Sequence, residues 1–447
     1  MQRAMMSKLV SWKNDPARKP LLLEGARQTG KTWLVQHFAQ EHFPSHIYVS
    51  LENNEAARSV FDGDLDPHKI LARLSTLTNQ PYIPGQTLLV LDEIQEQPRA
   101  LTSLKYFCED APEVPVLATG SALGVTLHGG TQFPVGKVTI EHLRPMTFSE
   151  FLRALGQPLL ADAVEAGDPD AFGLYHSTLS GLFDQYLAVG GMPAVVSAFV
   201  ALTGAEAFAA ADGELDRILA DYRHDFSKHT PSDQPSLPLR LGQIWDSMPS
   251  QIASETGRFA YARIKKGARG REYDLAIQWL EDSSLVLKVP LVSQPVLPLA
   301  AYRKPDSFKL YLSDVGLFRR LSQIPAAMVA SGQEVLGQAK GPLAEQYVCQ
   351  QLFASGFAPA SWIETKNPKE LDFLVQSDRA VLPVEVKAGT NLKAASLKAM
   401  IKRFGFPDAL RLSKLPYRRD GVITDAPLWA TESLCPESPL PEWFRQP

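Results

Sequence analysis

Short apolar runs alternate with stretches of helical periodicity over the first third of the chain. The runs are KPLLLEG, HIYVSLE, QTLLVLDEI and VPVLATGS. This alternation is typical of an α/β domain, in which the strands form a mostly parallel sheet. The pattern therefore predicts such a domain over residues 1–155. A helical pattern follows over residues 156–235, and it is interrupted by the turn GGMP.

Two further patterned units follow in the second half of the chain. Within residues 236–328, short helical stretches lead into LVLKVPLVS and FKLYLSD, which we expect to pair as strands. This order predicts a winged helix. Residues 335–412 give a helix, two strands in hairpin order, a strand that ends at Lys387 and another helix, which together predict a second α/β domain. Residues 413–447 are Pro-rich and are predicted to be a tail or a surface arm.

Composition narrows the functional classes. The 447 residues are 45% hydrophobic and 21% charged with a net charge of −4, so nucleic acid would have to bind a local basic patch. Three widely separated cysteines predict neither a zinc site nor a disulfide framework and fit a reducing compartment. The chain shows no signal-peptide pattern and no run of 18 apolar residues, so we expect a cytoplasmic protein without membrane contact.

The segment GARQTGKT matches G-x-x-x-x-G-K-[ST], follows an apolar strand and opens a helix. In such a loop, glycines let backbone N–H groups converge on phosphate oxygens, and the helix N-terminus adds positive potential. Lys31 would reach the β- and γ-phosphates, and Thr32 would bind Mg²⁺. The sequence therefore predicts an ATP site made of Gly25, Ala26, Arg27, Gln28, Thr29, Gly30, Lys31 and Thr32.

Two later strands complete this predicted site. The apolar strand in LLVLDEIQ ends in two acids, of which Asp92 would hold Mg²⁺ through water and Glu93 would polarise the attacking water. The apolar strand in VLATGSALG ends in Thr119 and Ser121, and Ser121 is the better candidate to sense the γ-phosphate. The adjacent glutamate favours an ATPase over a metabolic kinase, because a kinase must exclude water.

Taken together, GARQTGKT, LLVLDEIQ, ATGSA, LRPMTFSEF and YLAVGGMPAVV resemble a large, mostly uncharacterised group of bacterial and archaeal AAA+ ATPases. Those proteins carry a C-terminal restriction-endonuclease-like (PD-(D/E)xK) domain, and the resemblance implies self-association, often as a ring. Where they show Gly-Arg before the L-x-P-x-[ST]-F-x-E-F element, this chain has Lys137. A lysine lacks the planar fork of an arginine finger, so Arg144 and Arg153 remain alternative candidates.

A basic stretch precedes the last helix of the predicted winged helix. RFAYARIKKGARGR contains six positive charges and no acid, with aromatic residues between them. Such clusters neutralise the phosphates of nucleic acid with little sequence specificity. Two alternatives stay open: the stretch is a solvated loop, or it contacts the acidic surface of a neighbouring subunit. The candidate DNA-binding residues are Arg258, Arg263, Lys265, Lys266, Arg269 and Arg271.

Charged residues also interrupt the apolar strands near the C-terminus. In VLPVEVKAG, strand alternation places Glu385 and Lys387 on one face, and a hairpin would bring Asp372 beside them. This spacing matches a PD-(D/E)xK core, in which Asp372, Glu385 and Glu345 of the preceding helix would hold Mg²⁺, and Lys387 would position water. The alternative is a structural ion pair, and the same residues could also hold DNA without cutting it.

The sequence thus predicts a multidomain ATP-hydrolysing AAA+ protein that binds DNA, duplex or branched, through the winged helix and the nuclease-like domain. Metal-dependent cleavage of DNA is left open. The alternative function is an ATP-controlled switch whose C-terminal half docks protein or RNA. DNA-stimulated ATP hydrolysis would distinguish the two.

Overall fold

The computed structural model describes residues 1–121, 133–228, 234–254, 257–332, 339–364, 369–377, 379–389 and 395–436. The chain divides into two compact units. The N-terminal unit comprises residues 2–144 and 279–285, and the C-terminal unit comprises the rest of the chain. Within the described part of the chain, no helix has the length and apolar character needed to cross a bilayer.

The N-terminal unit is built on the predicted parallel sheet. Its five strands have the order β2-β3-β4-β1-β5, and every neighbouring pair is parallel. The helices are α1 (Met5–Asn14), α2 (Lys31–His42), α3 (Glu55–Ser59), α4 (Pro67–Thr78) and α5 (Pro98–Asp110). The strands are β1 (Leu21–Glu24), β2 (Ser45–Ser50), β3 (Thr87–Asp92), β4 (Val116–Gly120) and β5 (Thr139–His142).

Strand β3 is buried on both faces, because its alternate residues enter two separate cores. Leu89 and Leu91 pack in one core, and Leu88 and Val90 pack in the other. A strand covered on both faces has a continuous apolar run, which is why the sequence located it. Since the strands are parallel, β1, β3 and β4 all end at one edge of the sheet, where the candidate nucleotide residues follow them.

The C-terminal unit begins with the predicted helical segment. Its helices are α6 (Phe148–Ala154), α7 (Pro158–Ala166), α8 (Pro169–Leu174), α9 (His176–Val189), α10 (Pro193–Val200) and α11 (Gly204–Lys228). The helices that follow in the chain are α12 (Leu237–Ile252), α13 (Tyr261–Ile264), α14 (Gly270–Asp282), α15 (Val315–Leu321), α16 (Ala326–Ala330), α17 (Lys340–Ala354) and α18 (Ala395–Phe404). The last residues of α14, 279–282, belong to the N-terminal unit.

One mixed sheet of eight strands runs through the rest of this unit, in the order β12-β13-β11-β10-β9-β8-β6-β7. The predicted hairpin of β6 and β7 is present, but Leu291 pairs with Ser361 and joins this hairpin to the strands that follow. The strands are β6 (Val286–Val292), β7 (Arg303–Leu312), β8 (Ala360–Ile363), β9 (Glu370–Gln376), β10 (Val381–Val386), β11 (Ala409–Ser413), β12 (Arg418–Asp420) and β13 (Ile423–Pro427).

The prediction of a tail from residue 413 onward is wrong for the described residues. Strand β13 pairs in parallel with β11, and Trp429 just beyond it is fully buried. Proline is a turn signal in a sequence, but Pro427 is the last residue of β13. The remainder, residues 437–447, lies outside the described residues.

The predicted GGMP turn, within the helical segment, is hydrogen-bonded to the residues that follow β7. Asp314, which is fully buried, accepts hydrogen bonds from the Gly191 N–H at 2.6 Å and the Leu317 N–H at 3.0 Å. Gly190 has φ +80°, and a Cβ there would lie 2.3 Å from Asp314 Oδ1 and 2.7 Å from the backbone of Gly316. Only glycine fits both this conformation and this close approach.

Candidate functional sites

The predicted phosphate loop connects β1 to α2. Gln28 and Gly30 adopt positive φ angles of 66° and 89°, which turn the backbone sharply before the helix. Lys31 is buried, and its Nζ donates to the carbonyl oxygens of Gly25 and Ala26, each at 2.9 Å. Burial lowers the pKa of Lys31 below its ordinary value, against the opposing charge of the nearby acids.

Asp92 is the centre of the second part of this site. It lies at the end of β3 and accepts hydrogen bonds from the Thr32 hydroxyl at 3.0 Å, the Tyr48 hydroxyl at 2.6 Å and the Thr119 hydroxyl. Burial and the hydrogen bond to Asp92 raise the pKa of Tyr48, so this side chain remains a donor. Tyr48 could not be identified from the sequence, because it lies 44 residues from Asp92 and belongs to no motif.

Glu93 is held in place by two polar side chains. It has a φ of 53°, and its Oε2 accepts hydrogen bonds from the Ser121 hydroxyl at 3.1 Å and from the Gln95 amide. Ser121 therefore contacts the predicted catalytic acid, whereas Thr119 contacts Asp92. Gln95 belongs to the LLVLDEIQ motif, but no role was predicted for it, because its contact depends on a tight turn after β3.

The donor set of this site fits a Mg²⁺–nucleotide. The Thr32 hydroxyl and the Asp92 carboxylate, 3.0 Å apart, are hard oxygen ligands of the kind that Mg²⁺ prefers. Arg3, which the sequence analysis also missed, supports the loop by donating to the Thr29 carbonyl at 2.9 Å and the Arg144 carbonyl at 2.6 Å. The phosphate loop is thus anchored from a residue that precedes the first helix.

The candidates for an arginine finger differ in their surroundings. Lys137 pairs with Glu109 at 2.9 Å. Arg153 lies in the C-terminal unit and pairs with Asp162 and Glu165, each at 2.6 Å. These contacts engage both side chains within the chain, so the identity of the finger stays a prediction.

The second candidate site lies in the C-terminal unit and is called here the carboxylate cluster; its members are Glu345, Glu370, Asp372 and Glu385. The predicted hairpin of β9 and β10 is present, and Asp372 accepts a hydrogen bond from the Val386 N–H at 2.7 Å. Lys387 pairs with Glu385 at 3.0 Å. The structure therefore brings the predicted residues close together, and it adds Glu370, which the sequence analysis did not single out.

Two further residues reach the carboxylate cluster from β7. Lys309, only 1% exposed, places its Nζ 2.8 Å from Glu345 Oε1 and 4.0 Å from Glu370 Oε2. The hydroxyl of Tyr311 donates to the same oxygen of Glu345. In FKLYLSD these residues had the pattern of an ordinary strand, so nothing in the local pattern indicated that Lys309 meets an acid 36 residues later.

Burial and neighbouring charges shift the pKa values of Asp372 and Lys309. Burial, with Glu345 and Glu370 nearby, raises the pKa of Asp372 to about 7, although Lys309 opposes this. For Lys309, burial lowers the pKa, but attraction to Glu345, Glu370 and Asp372 outweighs it and leaves the pKa above its ordinary value. Near neutral pH, Lys309 is therefore charged.

The carboxylate cluster does not fit a divalent metal as it stands. Among the residues that the structure describes, no three His, Cys, Asp or Glu side chains converge closely enough to hold a metal ion. The structure instead places the Lys309 ammonium beside Glu345 and Glu370, and the Lys387 ammonium beside Glu385. A second Glu-x-Lys tripeptide begins at Glu364, which pairs with Arg403, and its Lys366 lies outside the described residues.

The six basic candidates lie just before, on and between α13 and α14, and all are exposed. Arg258 donates to the Ser307 hydroxyl at 3.1 Å, and Arg263 donates to the Ser250 carbonyl at 3.3 Å. The side chains of the other four make no hydrogen bond or ion pair with any residue that the structure describes. The preceding backbone is fixed to β7 by the Phe259 N–H, which donates to the Phe308 carbonyl at 2.9 Å. The basic side chains are thus exposed to solvent, and the backbone that precedes α13 is hydrogen-bonded to β7.

Three family models match parts of the chain. Residues 17–152 match the family model of an AAA domain, which confirms the predicted class of the N-terminal domain. Residues 180–327 and 340–423 match two domains of unknown function, DUF8612 and DUF4143. No curated protein shows significant similarity to the chain.

Solved structures with similarity to this chain include the following three. The Orc1 protein of Aeropyrum pernix in complex with DNA is 16% identical with a TM-score of 0.30, and the match covers 73% of this chain and 94% of that chain. Cdc6p of Pyrobaculum aerophilum is 12% identical with a TM-score of 0.25, covering 73% and 93%. A signal transduction ATPase with numerous domains from Pyrococcus horikoshii, which has a tetratricopeptide repeat sensor, is 11% identical with a TM-score of 0.27, covering 79% and 45%.

Proposed function

We propose that the protein is an AAA+ ATPase that hydrolyses ATP and binds DNA through its exposed basic side chains. The observation that carries the ATPase proposal is the contact between Thr32 and Asp92 beside Glu93. A phosphate loop, a metal-binding pair and a candidate general base would then share one edge of a parallel sheet. The match to an AAA domain supports the same conclusion.

Each residue of the nucleotide site has a role that follows from its position. Thr32 and Asp92 would hold Mg²⁺, which would supply positive charge to neutralise the nucleotide phosphates. Lys31 would exchange its two carbonyl acceptors for phosphate oxygens, which are stronger acceptors because they are charged. Glu93 would orient the attacking water, which requires that Ser121 and Gln95 release or share its carboxylate.

The DNA-binding proposal rests on the basic side chains and their structural support. Helices α12, α13 and α14 are followed by the β6–β7 hairpin, and Arg258 forms a backbone bridge with Lys309 of that hairpin. This order of elements supports the predicted winged helix, a fold that presents a helix and a hairpin to DNA. Exposed lysines and arginines without acidic partners bind phosphates in a salt-dependent way.

The DNA proposal is tested by replacing Lys265, Lys266 and Arg269 with alanine together. Affinity for duplex DNA should fall about equally for all sequences, and the slope of its salt dependence should become shallower by about one for each phosphate that is no longer neutralised. Fluorescence anisotropy over a salt series measures both. A control removes three exposed lysines of the N-terminal unit, namely Lys8, Lys69 and Lys105.

Equal losses of affinity in the two triple variants would mean that overall charge, not these side chains, determines binding. Unchanged binding of the first variant at low salt would contradict the proposal directly. Duplex, single-stranded and branched DNA should each be tested for stimulation of ATP hydrolysis, because coupling of the two activities predicts stimulation by at least one of them.

The alternative function, an ATP-controlled switch, has one specific observation in its favour. The side chain of Glu93 is already engaged by Ser121 and Gln95, which would slow hydrolysis. If no form of DNA changes turnover, this alternative is preferred. Self-association is part of both proposals, and a size measurement with a non-hydrolysable ATP analogue, with and without forked DNA, tests it.

A further inference from the structure

We propose that the ammonium group of Lys309 takes the place of a divalent cation in the carboxylate cluster. The cluster would then be held together by an internal cation and would not need metal. A metal-dependent nuclease needs the opposite arrangement, in which the carboxylates are left open for a metal ion with exchangeable water.

The burial and reach of Lys309 are the first support. Lysine is almost never fully buried unless it is paired, and the buried side chain of Lys309 ends 2.8 Å from Glu345. Its stem passes Gly257, where a Cβ would lie 3.3 Å from the Lys309 Cδ. Gly257 also has a φ of +58°, so the backbone is shaped closely around the lysine.

The charge balance is the second support. The carboxylate cluster contributes four acidic groups, and Lys309 and Lys387 contribute two basic groups, which leaves a formal charge of −2 (−4 + 2) when all are ionised. Removing Lys309 would leave −3 in a buried site, which is costly unless another cation binds. Lys387, which pairs with Glu385 at the strand end, is partly exposed and cannot fill the same position.

The third support is the set of oxygens without partners. Glu370 Oε2 and Glu385 Oε2 are buried and accept no hydrogen bond from the residues that the structure describes. Glu370 Oε2 faces the Lys309 ammonium at 4.0 Å. Such oxygens are available ligands, so a divalent ion should enter when the ammonium is removed.

The test is divalent metal binding by the nucleotide-free full chain. Lys309→Met removes the ammonium while it keeps most of the length of the side chain. Binding of Mn²⁺, measured by electron paramagnetic resonance, should be at least about tenfold tighter in Lys309→Met than in the wild type. The added Asp372→Asn substitution should abolish this gain. Lys304→Met, half-buried on the same strand, is the matched control and should behave as the wild type.

The wild type alone can overturn the proposal. If it binds Mn²⁺ and Asp372→Asn abolishes that binding, the site holds metal with Lys309 present and the proposal is wrong; this outcome can be read even when Lys309→Met does not fold. A folded Lys309→Met that gains no Mn²⁺ binding also overturns it. A Lys309→Met protein whose melting temperature is lowered and is then raised by Mn²⁺ supports it. The measurement needs neither DNA nor nucleotide, so its outcome is independent of the proposed DNA binding.

Discussion

Replacing Asp372 with asparagine should stabilise the C-terminal unit, and the gain should be larger at pH 8 than at pH 5. Asp372 is buried, and its pKa is raised from an ordinary 3.8 to about 7, chiefly by burial and by the neighbouring Glu345. The folded state therefore binds this proton more tightly than the unfolded chain. Its contribution to stability is present at low pH and is lost as the pH rises through about 7.

The size of the effect follows from the two pKa values. Each pH unit between them corresponds to about 1.4 kcal/mol, so ionising Asp372 in the folded protein costs about 4 kcal/mol relative to the unfolded chain. Between pH 5 and pH 8 the wild type should lose about 3 kcal/mol of its free energy of unfolding through this group. The loss accumulates over about two pH units, from pH 5 up to the folded pKa of about 7. Asparagine does not titrate, and its carbonyl can still accept the Val386 N–H.

Urea-induced unfolding, followed by tryptophan fluorescence between pH 5 and pH 8, measures this difference. A matched control is Asp425→Asn, because Asp425 is buried on β13 of the same sheet and forms a bidentate ion pair with Arg411. That change should destabilise by about 3–5 kcal/mol, since it removes the negative charge of the carboxylate that pairs with the buried Arg411. If the gain from Asp372→Asn were independent of pH, or fell as the pH rose, the assigned protonation of Asp372 would be refuted.

Two further predictions concern the turn after α9 and the nucleotide site. Gly190→Ala should destabilise the protein by more than about 3 kcal/mol, because the added Cβ would collide with Asp314 and the residue has a positive φ. Gly181→Ala, within α9, is the control: its added Cβ meets nothing within 4 Å, so it should be neutral or stabilising by up to about 1 kcal/mol. Thermal unfolding of the two variants measures the difference. Lys31→Ala should lose nucleotide binding, whereas Glu93→Gln should bind ATP but release phosphate at least about a hundredfold more slowly; equal nucleotide binding by both variants would contradict these roles.

The nucleotide site shows what can be predicted from sequence and why. GARQTGKT and LLVLDEIQ are local patterns, in which the loop, the strand and the acids are adjacent in the chain. A parallel sheet then brings the ends of its strands to one edge, so their proximity follows from the fold class. The contacts from Tyr48 and Arg3 could not be predicted in this way, because they depend on how separate elements pack.

The limits of the sequence are clearest in the carboxylate cluster. Alternation within β10 and the hairpin before it were enough to bring Asp372, Glu385 and Lys387 together, because both are local rules. Nothing local indicated that Lys309, which lies 63 residues before Asp372 (372 − 309), would enter the same site. That contact exists because β6 pairs with β8, so the strands of two predicted domains form one continuous sheet. The sequence by itself determined that Asp372 and Glu385 meet. Only the tertiary structure decided that Glu370 and a buried lysine join them, because the position of Lys309 depends on long-range strand pairing and not on periodicity.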